Sequence, residues 1–144
     1  MGNPSEVEKK QKRKILFVCT HNSSRSQMAE GLLRELKGGS WEAYSAGTDP
    51  TGVHPGAIAA MAEIGIDIRD HRAKELDAFK GTAFDEVVTV CDHAQESCPV
   101  VPGGGARRHQ SFENPAAAKG TEAEVLAAFR RVRDEIRNWI METY

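Results

Sequence analysis

A cysteine and an arginine six positions apart enclose a short polar stretch near the start of the chain, Cys19 to Ser26 (CTHNSSRS). The stretch follows an apolar run and opens a helical pattern, so its backbone N–H groups can turn inward around a tetrahedral anion at the positive end of the helix dipole. That field and the Arg25 charge favour a thiolate at Cys19, while the planar guanidinium can bind two anion oxygens at once. The Ser26 hydroxyl can donate to the thiolate. The residues predicted to bind the anion are Thr20, His21, Asn22, Ser23, Ser24, Arg25 and Ser26.

The alternative interpretation of Cys19 is a structural thiol at the end of a core strand, because free cysteine is among the most buried residue types. The arginine, the polar loop and the strand-to-helix context together favour the oxyanion site. Cys19 is therefore predicted to be a nucleophile.

Two further cysteines lie seven positions apart, Cys91 and Cys98. With His93 and His109 they would complete a Cys2His2 metal site, but the spacing matches no common zinc pattern and contains no C-x-x-C pair. A pair of core cysteines is a second alternative. The redox interpretation is favoured because one thiol ends a predicted strand beside the anion loop and the other lies in a Pro/Gly-rich segment.

The surrounding pattern predicts elements that place these residues at one edge of a sheet. Ile15 to Val18 is continuously apolar, which is typical of a strand covered on both faces in a parallel sheet. Further strands are predicted at 41–46, 85–91 and, at a sheet edge, 107–112. Helices are predicted at 24–37, 55–64 and 73–79, and after a capping box formed by Thr121 and Glu124.

Alternation of strands and helices predicts an α/β fold, an open four-stranded parallel sheet with helices on both faces. Ligands in such sheets bind at the carboxyl ends of the strands, where Cys19 and Cys91 both lie. A chain of 144 residues suits one domain. We expect a disordered tail at 1–13, where apolar residues are scarce, and a single catalytic domain at 14–144.

Composition excludes several classes of protein. The net charge of −2 argues against a general nucleic-acid binder. No apolar run is long enough for a membrane span, and no signal-peptide pattern follows the N-terminus. An odd number of cysteines without a signal suits a reducing compartment, so we expect a cytoplasmic protein.

The chain resembles the thioredoxin-coupled arsenate reductases, which share their fold and anion loop with the low-molecular-weight protein tyrosine phosphatases. The resemblance covers nearly the whole chain. It rests on four stretches: CTHNSSRSQMAEG at 19–31, YSAG at 44–47, the Cys91 and Cys98 pair, and FENP at 112–115.

The resemblance implies that Cys19 attacks arsenate, that Cys91 then attacks Cys19 and releases arsenite, and that Cys98 resolves the disulfide. Attack on the sulfur of a Cys19 arseno-adduct passes two electrons to arsenic and leaves a disulfide that a third thiol can exchange. Thioredoxin is the implied reductant. Phosphate and sulfate are expected to compete with arsenate, because an oxyanion site alone does not separate these anions.

The chain departs from the family pattern at the acid. Relatives commonly carry an aspartate before the proline, whereas this chain has Asn114-Pro115. An asparagine cannot donate a titrating proton. Glu113 or His109 could take the acid role, or water could suffice.

The second departure concerns a potassium ion that some relatives hold near the anion loop. Asn22, Glu30 and Ser45 match three ligand positions, but the remaining acidic position holds Lys74. A lysine ammonium there could replace the cation, although a surface lysine is the commoner role. The sequence therefore predicts no bound metal and no cofactor.

Two other functions stay open at this point. A low-molecular-weight protein tyrosine phosphatase would use the same nucleophile and arginine, but it needs the missing aspartate and has no use for the Cys91 and Cys98 pair. A thiol-based arsenic sensor would keep the cysteines, but no recognisable DNA-binding element accompanies them.

Overall fold

The computed structural model describes residues 12–91 and 105–144 of the chain, so the predicted tail lies almost wholly outside it. In this part of the chain four strands form one sheet: β1 (Arg13–Cys19), β2 (Trp41–Gly47), β3 (Glu86–Thr89) and β4 (Ala106–His109). The strand order is β2-β1-β3-β4, and every neighbouring pair is parallel. The predicted four-stranded parallel sheet is confirmed, with β4 at its edge.

The described residues also form three α-helices, α1 (Arg25–Lys37), α2 (Pro55–Ala62) and α3 (Glu122–Thr143), and two short 3₁₀ helices at Leu76–Phe79 and Pro115–Ala117. The predicted capping box at the start of α3 is present, with Thr121 and Glu124 each bonding the other's backbone N–H. No helix in the described part of the chain combines the length and apolar character needed to span a membrane.

The apolar run of β1 is buried on both faces of the sheet. Ile15 and Phe17 pack into the larger core cluster with the three α-helices, whereas Leu16 and Val18 face a smaller cluster beneath the first 3₁₀ helix. Burying one such side chain contributes about 1.5–3 kcal/mol. Helical segments therefore cover both faces, as predicted, and the central strand has no solvent-facing side.

Four predicted elements are at least two residues shorter than expected, and one of them is the helix predicted at 55–64, which ends at Ala62. The helix predicted at 73–79 is only a 3₁₀ turn at Leu76–Phe79, because Gly47 N–H bonds to the Lys74 carbonyl and Glu75 bridges Gly47. Residues before Leu76 thus extend the sheet edge instead of coiling. The strands predicted at 85–91 and 107–112 are cut to four residues each.

Strand register decides which residues share an edge. Val18 pairs with Thr89 and Cys19 pairs with Gly47. Because neighbouring strands lie about 4.8 Å apart, Cys19 and Cys91 lie at the same carboxyl edge of the sheet.

Candidate active site

The predicted anion loop connects β1 to α1 at this edge. Cys19 is the last residue of β1 and Arg25 the first of α1. Cys19 is a free thiol, 2 % exposed, and Arg25 is 3 % exposed. Ser24 is the N-cap residue of α1, and its buried hydroxyl bonds no other described residue. The structure thus brings the thiol, the loop and the guanidinium together at one helix start.

The carbonyls of the loop face the following segment of the chain. Thr20 O accepts from Asp49 N–H at 2.9 Å, and Ser23 O accepts from His54 N–H at 3.0 Å. The His21 side chain bonds the Asp49 carbonyl at 2.9 Å, so it contributes to this outer contact. Because a peptide's N–H points opposite to its carbonyl, tying the carbonyls outward favours an N–H-lined interior.

The Ser26 hydroxyl lies 2.8 Å from the Cys19 sulfur, in a buried contact. Asn22 Nδ2 donates to the same hydroxyl oxygen at 2.8 Å. Because a thiolate has no proton to give, the Ser26 proton must point at sulfur whenever Cys19 is ionised. A hydrogen bond to a charged group contributes about 1.5–3 kcal/mol, so this contact is strongest with an anionic sulfur and orients it in the loop.

Asn22 is held in an unusual backbone conformation that orients its side chain. Its φ is 48°, in the left-handed region that asparagine tolerates better than most residues. Its Oδ1 accepts from Gln27 Nε2 and from the Lys74 backbone N–H, both at 2.9 Å. The Lys74 backbone N–H can only donate, so the Asn22 atom that it contacts must be the amide oxygen. The Asn22 NH2 group therefore faces Ser26. Gln27 is absent from the predicted site because a helical glutamine carries no chemical signature of its own.

A neutral histidine extends this hydrogen-bond path. His71 Nδ1 bonds Gln27 Oε1 at 3.0 Å, and Arg34 NH1 lies 3.3 Å from His71 Nε2. Because the guanidinium can only donate, Nε2 accepts and Nδ1 carries the proton. Burial lowers the pKa of His71, although the Glu30 carboxylate opposes the change, which agrees with a neutral ring. The donors therefore point in one direction, from the guanidinium through the ring, two amides and a hydroxyl to the sulfur.

Gly47 packs directly against the anion loop. A Cβ at this position would lie 2.5 Å from Thr20 O and 2.8 Å from Cys19 O, closer than a carbon can approach backbone oxygen. The end of β2 therefore needs glycine here to support the loop. The sequence places Gly47 in the YSAG stretch but does not reveal this contact.

Positive side chains lie at the position where some relatives hold potassium. Glu30 accepts from Ser45 Oγ at 2.8 Å and pairs with Arg34 at 3.1 Å. Lys74 Nζ lies 3.7 Å from Glu30 and donates to the Arg72 carbonyl at 2.9 Å. A potassium ion would meet cations that already neutralise the carboxylate, so these residues do not fit it. In the described part of the chain no group of three His, Cys, Asp or Glu side chains could hold a metal ion.

The segment with the predicted acid positions contacts the site through its backbone. Arg25 NH1 donates to the Phe112 carbonyl at 3.3 Å. Asn114 Oδ1 caps the second 3₁₀ helix by accepting the N–H two residues later at 3.1 Å. Glu113 is paired with the exposed Arg131 of α3. Both side chains have structural partners here, and the identity of the acid stays a prediction.

The second predicted thiol is buried beyond the end of β3. Cys91 is disulfide-bonded and 0 % exposed. His109 lies on β4, with both ring nitrogens hydrogen-bonded to hydroxyl groups. Cys98 and His93 lie outside the described residues, so the thiol relay stays a prediction and the disfavoured zinc alternative stays untested.

Comparison with known proteins agrees with this arrangement. The family model of low molecular weight phosphotyrosine protein phosphatase matches residues 14–142. An arsenate reductase of Halalkalibacterium halodurans is 49 % identical over 125 residues, 87 % of this chain and 90 % of that protein. A solved arsenate reductase in its phosphate-binding state superposes with a TM-score of 0.74 at 31 % identity, over 90 % of this chain and 95 % of that one. A thioredoxin-dependent arsenate reductase of Corynebacterium glutamicum superposes with a TM-score of 0.61 at 27 % identity, over 97 % of this chain and 68 % of that one.

Proposed function

The chain belongs to the low molecular weight phosphotyrosine protein phosphatase family, and from that premise we propose that it is an arsenate reductase regenerated by thioredoxin. The observation that carries the proposal is the buried free thiol of Cys19, which meets a hydroxyl donor inside an anion loop. A second cysteine, Cys91, lies at the same sheet edge. The curated and solved relatives named above are arsenate reductases.

In the first step the Cys19 thiolate attacks arsenic. A sulfur–arsenic bond forms, and one arsenate oxygen leaves as water after taking up protons. Arg25 and the loop N–H groups bind the remaining oxygens, and the helix start favours their negative charge. Phosphate and sulfate carry similar oxygens and compete for this loop.

In the second step the Cys91 thiolate attacks the Cys19 sulfur. A sulfur–sulfur bond forms, and the sulfur–arsenic bond breaks with its electron pair remaining on arsenic, which leaves as arsenite. Two thiols are oxidised and arsenic gains two electrons. Cys98 then attacks Cys91, which frees the Cys19 thiolate, and thioredoxin reduces the Cys91–Cys98 disulfide.

The state of the described cysteines supports this order of steps. Cys19 is free while Cys91 is disulfide-bonded, the pattern that the relay predicts once Cys19 has been released. A thiol cycle that depends on thioredoxin operates in a reducing compartment, so we place the reaction in the cytoplasm.

Aryl-phosphate hydrolysis is the second candidate, since it uses the same nucleophile and the family is named for it. It needs a proton for the leaving oxygen, and the residue before Pro115 is Asn114, whose side chain caps a 3₁₀ helix. We therefore propose phosphatase activity only as a weak side reaction.

The test is arsenate-dependent NADPH consumption with purified protein, thioredoxin and thioredoxin reductase. The unsubstituted chain should consume one NADPH per arsenite formed. Cys19→Ser should abolish both arsenate reduction and aryl-phosphate hydrolysis, whereas Cys91→Ser should abolish reduction alone. Turnover of arsenate by Cys19→Ser would refute the proposal, and loss of both activities in Cys91→Ser would assign Cys91 a structural role.

A further inference from the structure

A side-chain bridge joins the last two strands beside Cys91. Thr89 Oγ1 lies 2.6 Å from His109 Nδ1, and His109 Nε2 lies 2.9 Å from Ser111 Oγ. Ser111 Oγ donates to the Cys91 carbonyl at 3.3 Å. The bridge therefore runs from Thr89 of β3 to His109 of β4, and then through Ser111 back to Cys91, two residues after Thr89.

The Ser111 hydroxyl donates to the Cys91 carbonyl, so its oxygen accepts from His109 Nε2–H. The Thr89 hydroxyl bonds the other ring nitrogen. The ring is held at both nitrogens by hydroxyl groups, and a conformational change of the ring would break both bonds.

The bridge continues the sheet where backbone pairing runs out. Two backbone hydrogen bonds continue the sheet pattern just past the ends of the strands. Val90 N–H donates to Val18 O and Gln110 N–H donates to Thr89 O, both at 2.9 Å. At the next carbonyl, that of Cys91, the donor is a side chain. The Ser111 hydroxyl thereby attaches the Cys91 peptide to β4.

We propose that Thr89, His109 and Ser111 are positioning residues that hold the backbone of Cys91 in place for its attack on Cys19. This inference rests on the relay proposed above. A disulfide needs the two Cα atoms within about 4.4–6.8 Å of each other. A Cys91 carbonyl attached to β4 limits how far the backbone of the attacking residue can move away from Cys19.

The test separates the two half-reactions in a Cys98→Ser background, where the relay should stop at the Cys19–Cys91 disulfide. Ser111→Ala should slow formation of that disulfide after one addition of arsenate by about 3- to 10-fold, as expected for one hydrogen bond. Hydrolysis of p-nitrophenyl phosphate, which needs Cys19 but not Cys91, should stay unchanged. Ser111→Thr should restore the rate because it keeps the hydroxyl.

Gln110→Ala is the matched control, because it lies between the two bridge residues of this segment and its side chain bonds no other described residue. It should behave like the parent. An unchanged rate of disulfide formation in Ser111→Ala would overturn the inference, as would an equal loss of both activities, which would indicate general damage. Absence of any Cys19–Cys91 disulfide in the Cys98→Ser parent would overturn the relay and this inference with it.

Discussion

Substitution of Ser26 by alanine tests whether the hydroxyl beside Cys19 supports its reaction as a nucleophile. The substitution removes the hydroxyl that lies 2.8 Å from the sulfur and leaves the buried Asn22 Nδ2 group without its acceptor. A hydrogen bond to a charged group contributes about 1.5–3 kcal/mol, and each 1.36 kcal/mol added to the activation free energy is about tenfold in rate. The kcat/KM for arsenate should therefore fall by about 10- to 150-fold, and alkylation of Cys19 should slow by a similar factor.

The assay is the rate of iodoacetamide labelling of Cys19 at neutral pH, read by peptide mass spectrometry in a Cys91→Ser, Cys98→Ser background. Ser45→Ala is the matched control, since it also removes a buried serine hydroxyl, one that donates to the Glu30 carboxylate at 2.8 Å. It should cost similar stability and leave the labelling rate of Cys19 unchanged. A folded Ser26→Ala protein that is labelled at the parent's rate would refute the hydrogen-bond argument.

Three other substitutions test separate parts of the structure. Gly47→Ala should lower kcat/KM for arsenate by about 100-fold, because the added Cβ would lie only 2.5 Å from Thr20 O and would push the anion loop out of position. Gly39→Ala is the control and should leave kcat/KM unchanged, because a Cβ there meets nothing within 4 Å. Asn114→Asp should raise aryl-phosphate hydrolysis, by up to about 10²- to 10⁴-fold, more than arsenate reduction, and an unchanged rate in a folded variant would contradict this. Burial lowers the pKa of His54, so below about pH 6.5 the unfolded chain binds more protons than the folded one and the free energy of unfolding falls as pH falls. His54→Asn keeps an acceptor for the helix cap but removes the titrating ring. Urea titrations should therefore show that this variant loses less stability than the parent between pH 7 and pH 5.

The sequence by itself determined the features that depend on neighbours in the chain. The polar loop between Cys19 and Arg25, the buried β1 run and the capping box at Thr121 all follow from helix starts, strand periodicity and side-chain chemistry within a few residues. The order of strands and helices was enough to predict the parallel sheet. These local rules also placed Cys19 and Cys91 at one edge, because carboxyl ends of parallel strands coincide.

Only the tertiary structure decided how the thiol is supported. The orientation of the Asn22 amide depends on the Lys74 backbone, 52 residues away, and Gln27 is bonded by His71, 44 residues away. Another long-range pairing, between Gly47 and Glu75, turned the residues before Leu76 from a predicted helix into an extension of the sheet edge. A hydrogen bond between distant segments leaves no periodic signal in either one, because it depends on strand register and on how closely a residue such as Gly47 lets two backbones approach.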